Sequence, residues 1–276
     1  MIRLPDLALP DVTAKQLVTW QAGIDGLATY SVKVEQARLQ FKERNKHTNP
    51  AFRAVRRHLD AMCCGERRCS YCEDSCADEV EHVRPKALFP EQVFLWLNYV
   101  YACGPCNGFK LNNYPRLVGT VERNLARRRF DPIVPPPPGV DLLIDPRAED
   151  PAQYFVMDLQ TGMIVPRNGL ADIPLKKAQQ TIAVLHLNRD LLRRARVQHV
   201  RNYVARLREY IRLRDEDECA DAASYAASIC MMGHPMVWNE IRRHQTNEPV
   251  LHRLFTRAPE ALDWEPKPQG LSASGA

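Results

Sequence analysis

The chain has 276 residues, enough for one large domain or two modest ones with buried cores. Charged residues make up 26% and apolar residues 45%, the proportions of an ordinary folded protein rather than of a disordered or fibrous one. The net charge is +5, and 29 of the 38 basic residues are arginine. Arginine suits phosphate groups and favours a nucleic-acid partner, but a GC-rich genome that favours arginine codons explains the bias equally well.

Cysteine usage and hydropathy predict a cytoplasmic protein. The nine cysteines are an odd number in a long chain, which is not typical of a secreted disulfide framework. The amino-terminal residues contain no apolar run long enough for a signal peptide, and no stretch approaches the roughly 20 apolar residues that span a membrane. In a reducing cytosol, paired Cys-x-x-Cys motifs are typical of metal ligands. We therefore expect a cytoplasmic protein that has no membrane partner.

Residues 1–62 are expected to form an amino-terminal helical region. A capping box begins at Thr13, and the apolar residues after it keep helical spacing, so the pattern predicts one long helix over residues 13–45. Asn49 followed by Pro50 is a cap with proline at the first helical position, which predicts the start of a second helix.

Residues 63–130 contain two Cys-x-x-Cys pairs separated by thirty residues, more than a compact zinc ribbon needs. Short strands are expected at residues 81–84 and 99–102, and a short helix at 107–113. Four thiolates in two close pairs form a closed tetrahedral zinc site, which is a structural device. The zinc ligands are predicted to be Cys69, Cys72, Cys103 and Cys106.

The remaining chain divides into three expected parts. Residues 131–175 are predicted to be a Pro-rich linker followed by a β-hairpin with Gly162 in its turn. Residues 176–265 form a carboxy-terminal helical region, and residues 266–276 a disordered tail. In this region an apolar helical stripe is interleaved with five arginines: Arg196, Arg201, Arg206, Arg208 and Arg212. These arginines indicate either a helix that faces phosphates or a solvated polar face, and we favour the solvated face.

Four short strings of the cysteine segment form a series: Cys69-Ser-Tyr-Cys72, Glu81-His82-Val-Arg-Pro85-Lys, Trp96-Leu-Asn98 and Cys103-Gly-Pro-Cys106-Asn107. The series resembles the HNH, or ββα-metal, nuclease family in its four-cysteine form. The resemblance implies an α+β protein, mainly helical, with an embedded zinc-stabilised HNH nuclease core. It also implies metal-dependent hydrolysis of phosphodiester bonds in nucleic acid, with DNA as the first choice and RNA as the alternative.

The resemblance implies a role for each matching residue. His82 would be the general base, since an imidazole titrates near neutral pH and can take a proton from water. Glu81 would point to the opposite face of the strand and bind Mg²⁺ or Mn²⁺. Asn107 would be the second ligand of that cation, and Asn98 would orient the base histidine.

Two positions depart from the commonest pattern of the family. Glu81 stands where Asp is more common, and Asn107 stands where the final His of the family lies. Both keep an oxygen donor, which favours a hard cation over zinc at the catalytic site. Further along, Lys110 or Asn112 could touch the phosphate or the water shell of the metal, and the sequence does not choose between them.

A narrower similarity covers about residues 50–215. Strings such as Ile144-Asp-Pro-Arg147 and Leu185-His-Leu-Asn-Arg189 resemble the PtuB-like HNH nucleases of Septu-type and retron-associated anti-phage systems. That resemblance implies a phage-defence effector with an ABC/SMC-like ATPase partner. The competing interpretation is a catalytically silent, zinc-stabilised module that binds nucleic acid or serves as a scaffold. A cysteine-based redox enzyme is disfavoured, because no thioredoxin-like βαβ unit is visible.

Overall fold

The computed structural model describes residues 1–111 and 113–270. Over these residues the protein is mixed α+β and mainly helical, with small antiparallel sheets, which confirms the predicted fold class. In the same part of the chain, every helix is too short or too polar to cross a lipid bilayer.

The chain begins with α1 (Asp11–Asp25) and α2 (Tyr30–Arg44), so the prediction of one long helix over residues 13–45 is wrong. Gly26 ends α1, and the Thr29 hydroxyl accepts a hydrogen bond from the Val32 amide and thereby caps α2. A glycine weakens a helix interior, and a threonine cap stabilises the start of a new helix. The segment with continuous apolar spacing therefore forms two helices instead of one.

Helix α3 (Pro50–Ala61) begins where the Asn49-Pro50 pair predicts it. The Asn49 side-chain oxygen accepts hydrogen bonds from the amides of Ala51 and Phe52. Phe52 lies fully buried on the inner face of this helix.

The cysteine segment folds as strand, strand and helix. Strand β1 (Glu79–His82) pairs antiparallel with β2 (Tyr99–Ala102), and His82 lies opposite Tyr99. Helix α4 (Gly104–Lys110) follows β2 directly. The position of β2 matches its prediction, whereas β1 begins two residues and α4 three residues earlier than predicted.

Two further sheets follow. Strand β3 (Tyr114–Val118) pairs with β4 (Val121–Leu125) and with the short β5 (Val140–Asp141). This hairpin was not predicted, because β4 is exposed along nearly all its length and has no alternation of apolar and polar residues. The predicted hairpin in the next segment is confirmed as β6 (Phe155–Met157) and β7 (Ile164–Pro166), with Gly162 at φ 68° in its turn.

The carboxy-terminal part is helical, as predicted. It comprises α5 (Asp172–Val184), α6 (Asp190–Asp215), α7 (Cys219–Cys230), α8 (Pro235–His244) and α9 (Pro249–Arg257).

Several arginines of α6 have structural partners. Arg196 is buried and donates to the Gly162 carbonyl, Arg206 donates to the Ser228 hydroxyl, and Arg212 pairs with Glu209. Arg201 and Arg208 are exposed.

One continuous hydrophobic core joins all these parts, from Leu17 in α1 to Phe255 in α9. The expected disordered tail covers residues 266–276, of which 271–276 lie outside the described residues. In the described part of that tail, the Lys267 amide donates a hydrogen bond to the Cys230 carbonyl at the end of α7. The Gln269 and Gly270 amides donate to the carbonyls of Cys63 and Ala61, at the end of α3 and just after it.

Candidate functional site

The two Cys-x-x-Cys pairs meet in one buried cluster. The sulfur atoms of Cys69, Cys72, Cys103 and Cys106 all lie within 4.8 Å of one another. The Cys72 and Cys103 sulfurs are 3.8 Å apart. A tetrahedral zinc ion with Zn–S bonds of about 2.3 Å requires sulfurs about 3.8 Å apart, so this cluster could bind zinc.

The four thiols of the cluster differ in acidity. Hydrogen bonds from Cys103 and the other two thiols lower the pKa of the Cys72 thiol, and Cys106 likewise lowers the pKa of Cys103. Burial raises the pKa of Cys69, and the hydrogen bond with Cys103 raises that of Cys106. The Arg189 guanidinium lies 3.7 Å from the Cys106 sulfur and compensates negative charge there.

Cys63 and Cys76 are two of the thiols that lie outside the cluster. Cys63 hydrogen-bonds to the backbone carbonyls of Leu59 and Arg68, while Cys76 is exposed. Within the part of the chain that the structure describes, neither residue belongs to the group of cysteines that could share a metal ion.

Glu81 and His82 project from opposite faces of β1, as their alternation predicts. On one face, the Glu81 carboxylate forms a buried ion pair with Lys110, whose Nζ atom lies 2.7 Å from Oε1. Lys110 also donates to the backbone carbonyl of His82 at 2.7 Å and is completely buried. Lys110 therefore fastens α4 to β1, while Asn112, its predicted alternative at the phosphate, lies outside the described residues.

Glu81 and Asn107, the two predicted ligands of the catalytic cation, line one cavity of about 300 Å³. We call it the carboxylate cavity, and its lining also includes Asp78, Glu79 and Lys86. The Asn107 amide donates to the Glu79 carboxylate. Sequence reasoning missed Glu79, although its position two residues before Glu81 on a strand places both side chains on one face.

His82 lies beside this cavity in an aromatic enclosure and is only 1% exposed. Its ring centre lies 4.4 Å from that of Phe41 and 5.1 Å from that of Tyr99. The Nε2 atom lies 3.0 Å from the Val93 carbonyl oxygen. Because that oxygen can only accept, Nε2 carries the hydrogen and Nδ1 holds a lone pair.

The environment of His82 keeps its imidazole neutral. Among the described residues, Nδ1 has no hydrogen-bond partner. Burial, with a smaller effect from the charge of Lys86, lowers the pKa of His82 well below its usual value. A neutral imidazole with a free lone pair can accept a proton, but the lowered pKa makes His82 a weaker base than the imidazole titrating near neutral pH that the sequence predicts.

Among the described residues, the hydrogen-bond partners of the Asn98 side chain are Arg84 and Gln92 rather than His82. Its side chain accepts from the Arg84 amide at 2.7 Å and donates to the carbonyls of Arg84 and Gln92, each at 3.0 Å. These bonds brace the loop that ends at Val93, whose carbonyl orients the histidine. Asn98, the predicted orienting residue, therefore acts on His82 indirectly, through the loop that carries Val93.

Phe41 of α2 both lines the carboxylate cavity and covers the His82 ring. It also packs against Phe52, Phe94 and Tyr99. The side chain of Phe41 thus contacts the buried imidazole and also lines the carboxylate cavity.

No family model matches the chain, and no curated protein is significantly similar to it. The functional interpretation therefore depends on the cysteine cluster, the carboxylate cavity and His82.

Proposed function

We propose that the protein is a metal-dependent endonuclease of the HNH type, which hydrolyses phosphodiester bonds of nucleic acid at the carboxylate cavity. The observation that carries this proposal is the combination on β1 of an oxygen-lined cavity on one face and a neutral, oriented imidazole on the other. The four-cysteine cluster adjoins the same strands and helix, which is compatible with the zinc-containing form of that family.

In this proposal the four cysteines hold a structural zinc ion. Cys69 and Cys72 precede β1, whereas Cys103 caps α4 and Cys106 lies in its first turn. A zinc ion bound there would supply a cross-link between these two parts of the chain. The small two-stranded sheet is thereby stabilised by coordination as well as by apolar packing.

The carboxylate cavity has the donor atoms that a hard cation prefers. Glu79 and Glu81 offer carboxylate oxygens and Asn107 offers an amide oxygen, which fits Mg²⁺ or Mn²⁺ better than zinc. A cation bound there would supply a Lewis acid for the phosphate. Lys110 compensates part of the negative charge of the buried Glu81 carboxylate.

His82 is the proposed general base. Its Nδ1 atom takes a proton from a water molecule, the water oxygen attacks phosphorus, and the bond to the leaving oxygen breaks. The Val93 carbonyl keeps the hydrogen on Nε2 and stabilises the imidazolium that forms. Because Phe41 covers the ring, catalysis requires the carboxy-terminal part of α2 to shift.

DNA is the proposed substrate, with RNA as the alternative. The narrower resemblance adds an ABC/SMC-like ATPase partner and a role in phage defence to the proposal, in the cytoplasm.

A cleavage assay with Mg²⁺ or Mn²⁺ tests the proposal, comparing the wild type with His82→Gln. The glutamine amide can still donate to Val93 but cannot take a proton, so we expect cleavage to fall about 10²- to 10⁴-fold. Glu81→Gln should weaken the binding of the catalytic cation, so that cleavage requires a higher concentration of Mg²⁺ or Mn²⁺. Equal cleavage by the wild type and His82→Gln would exclude His82 as the base.

A catalytically silent binding module is the second candidate. The complete burial of His82 and the ion pair of Glu81 with Lys110 favour it, because both side chains are occupied by structural contacts. Nucleic-acid binding without cleavage, under every combination of metal and ATPase partner, would support this candidate instead.

A further inference from the structure

Three cavities on one side of the molecule share lining residues. The carboxylate cavity shares Lys86 with a groove of about 640 Å³ along α2, which we call the α2 groove. The α2 groove in turn shares Arg38 and Ala87 with a cavity of about 400 Å³ beside residues 127–133, which we call the arginine-loop cavity. Because neighbouring cavities share lining residues, they lie side by side along this surface, and we call the three together the trough.

The trough has its carboxylates at one end, the acidic end, and mostly cations along the rest. Asp78, Glu79 and Glu81 lie at the acidic end, where Arg56 and Lys86 also line the cavity and Lys110 pairs with Glu81. Five side chains along the trough are cationic and have no ion-pair partner among the described residues: Arg38, Lys42, Lys86, Arg128 and Arg129. The acidic residues of the basic part are Glu35 and Asp131. This distribution suits a cation at the acidic end and a row of phosphates along the rest.

Arg127 anchors the loop at the far end of the trough. Its guanidinium donates to the carbonyls of Ala87 and Val134 and to the Tyr30 hydroxyl. With Arg127 used for structure, the side chains of Arg128 and Arg129 are left exposed. The loop therefore has a fixed base and a cationic outer surface.

Phe130 projects from this cationic loop and is 89% exposed. The Arg129 guanidinium lies 5.4 Å from its ring centre. An exposed aromatic ring next to unpaired arginines is the combination on which proteins stack the bases of single strands. Bases inside a duplex are already stacked and paired, so their faces cannot reach such a ring.

We propose that the trough binds single-stranded nucleic acid, with phosphates on the five cations and a base stacked on Phe130. The strand would lead to the carboxylate cavity, where its phosphodiester bond is cut. This inference rests on the proposed nuclease function and names the form of its substrate.

Binding is measured without cleavage, on the full chain carrying His82→Gln and without divalent cations. Fluorescence anisotropy compares labelled single strands of DNA and RNA with a DNA duplex of the same sequence. Single strands should bind more tightly than the duplex. Phe130→Leu should weaken single-strand binding about 5- to 150-fold, the equivalent of one stacked base, and Phe130→Trp should retain it.

The charges of the trough are tested by salt dependence. Arg128→Gln and Arg129→Gln should each reduce the slope of log Kd against log salt by about 0.7. Arg201→Gln and Arg208→Gln are matched controls, because these exposed arginines of α6 lie outside the trough, and their slopes should not change.

Tighter binding to the duplex, or single-strand binding that is unchanged in Phe130→Leu, would overturn the proposal. Equal effects of the α6 controls would overturn it as well. These outcomes are distinct from failure of the nuclease function. If the protein binds single strands through Phe130 but never cuts, the single-strand proposal holds and the nuclease proposal fails. If the protein still cuts duplex DNA when Phe130 is replaced, the nuclease proposal holds and the single-strand proposal fails.

Discussion

Cys103, which directly follows β2, and His82, in β1, are both buried, but the proposal gives them independent tasks. Cys103 contributes one of four sulfurs to a cluster that closes on itself, whereas His82 contacts aromatic rings and a carbonyl. Replacing the first should therefore affect the fold of the core, and replacing the second should affect only chemistry.

We expect Cys103→Ser to lose bound zinc, because a neutral hydroxyl is a poor substitute for a thiolate ligand, and to unfold the core around β1 and β2. His82→Gln should retain one zinc ion per chain and melt close to the wild type. Metal analysis and thermal melting of both variants check this. Loss of zinc from His82→Gln would contradict the assignment of two separate sites.

The remaining cysteines allow a prediction of reactivity. Burial raises the pKa of Cys63 and of Cys64 to about 12, so both are thiols rather than thiolates at pH 8, with only about one in 10⁴ ionised. Exposed Cys76 and Cys219 should therefore react first with iodoacetamide at pH 8.

The four cluster cysteines should react only after a zinc chelator is added. Mass spectrometry of peptides before and after chelation identifies the labelled residues. Labelling of the cluster cysteines before Cys76 would contradict a bound zinc ion.

Among the elements, α2 decides whether His82 is accessible. Its inner side carries Phe41 over the imidazole, while Arg38 and Lys42 of the same helix line the basic trough. In the proposal, nucleic acid binds to the outer side of α2, and His82, the general base, lies under its inner side. The two are therefore connected through this one helix.

Phe41→Ala should expose His82 and also destabilise the protein by about 3–5 kcal/mol, the usual cost of truncating a buried phenylalanine. We expect His82 to become reactive toward diethyl pyrocarbonate, and cleavage per folded molecule to increase. Both are measured well below the melting temperature. Phe52→Ala is the control, because Phe52 is buried in the same aromatic cluster but does not line the carboxylate cavity. If Phe52→Ala exposes His82 equally, Phe41 has no specific covering role.

At the scale of the whole molecule, the segment after the run of four prolines at residues 135–138 packs onto the proposed nuclease core. Leu142, Leu143 and Ile144 are buried in the common hydrophobic core or next to it. Arg147 donates to the carbonyl of Tyr99 at 3.0 Å, and its guanidinium lies 4.5 Å from the centre of the Trp96 ring. This buried cation links β2 to the chain that leads into the carboxy-terminal helices.

Arg147→Ala should destabilise the protein by about 3 kcal/mol, because the Tyr99 carbonyl loses its donor and the Trp96 ring loses a desolvated cation. Urea unfolding is followed by circular dichroism and by zinc release to a chelating dye. Both midpoints should shift together to lower urea, since one core joins these parts.

Arg201→Ala, an exposed control, should change stability by less than about 0.5 kcal/mol. A shift of the circular dichroism midpoint alone would show that the zinc-containing core unfolds independently of the helices.

Signals confined to a few neighbouring residues were sufficient for much of the fold and part of the site. The Asn49-Pro50 cap, the apolar strand at residues 99–102 and the Gly162 turn act through local hydrogen bonds and dihedral preferences, so they can be read without the rest of the chain. The four cysteines were identifiable for the same reason, since metal-ligand spacing is a local pattern. The break after Gly26 was missed, because continuous apolar spacing outweighed a weak cap signal.

The sequence by itself therefore determined the mainly helical α+β class, the cysteine pairs and the placement of Glu81 and His82 on opposite faces of a strand. Only the tertiary structure decided that Lys110 neutralises Glu81, that the Val93 carbonyl orients His82 in place of Asn98, and that Phe41 covers the imidazole. The physical reason is that each of these contacts joins residues separated by 11 or more positions along the chain. Whether such residues meet depends on how whole elements pack against the common core.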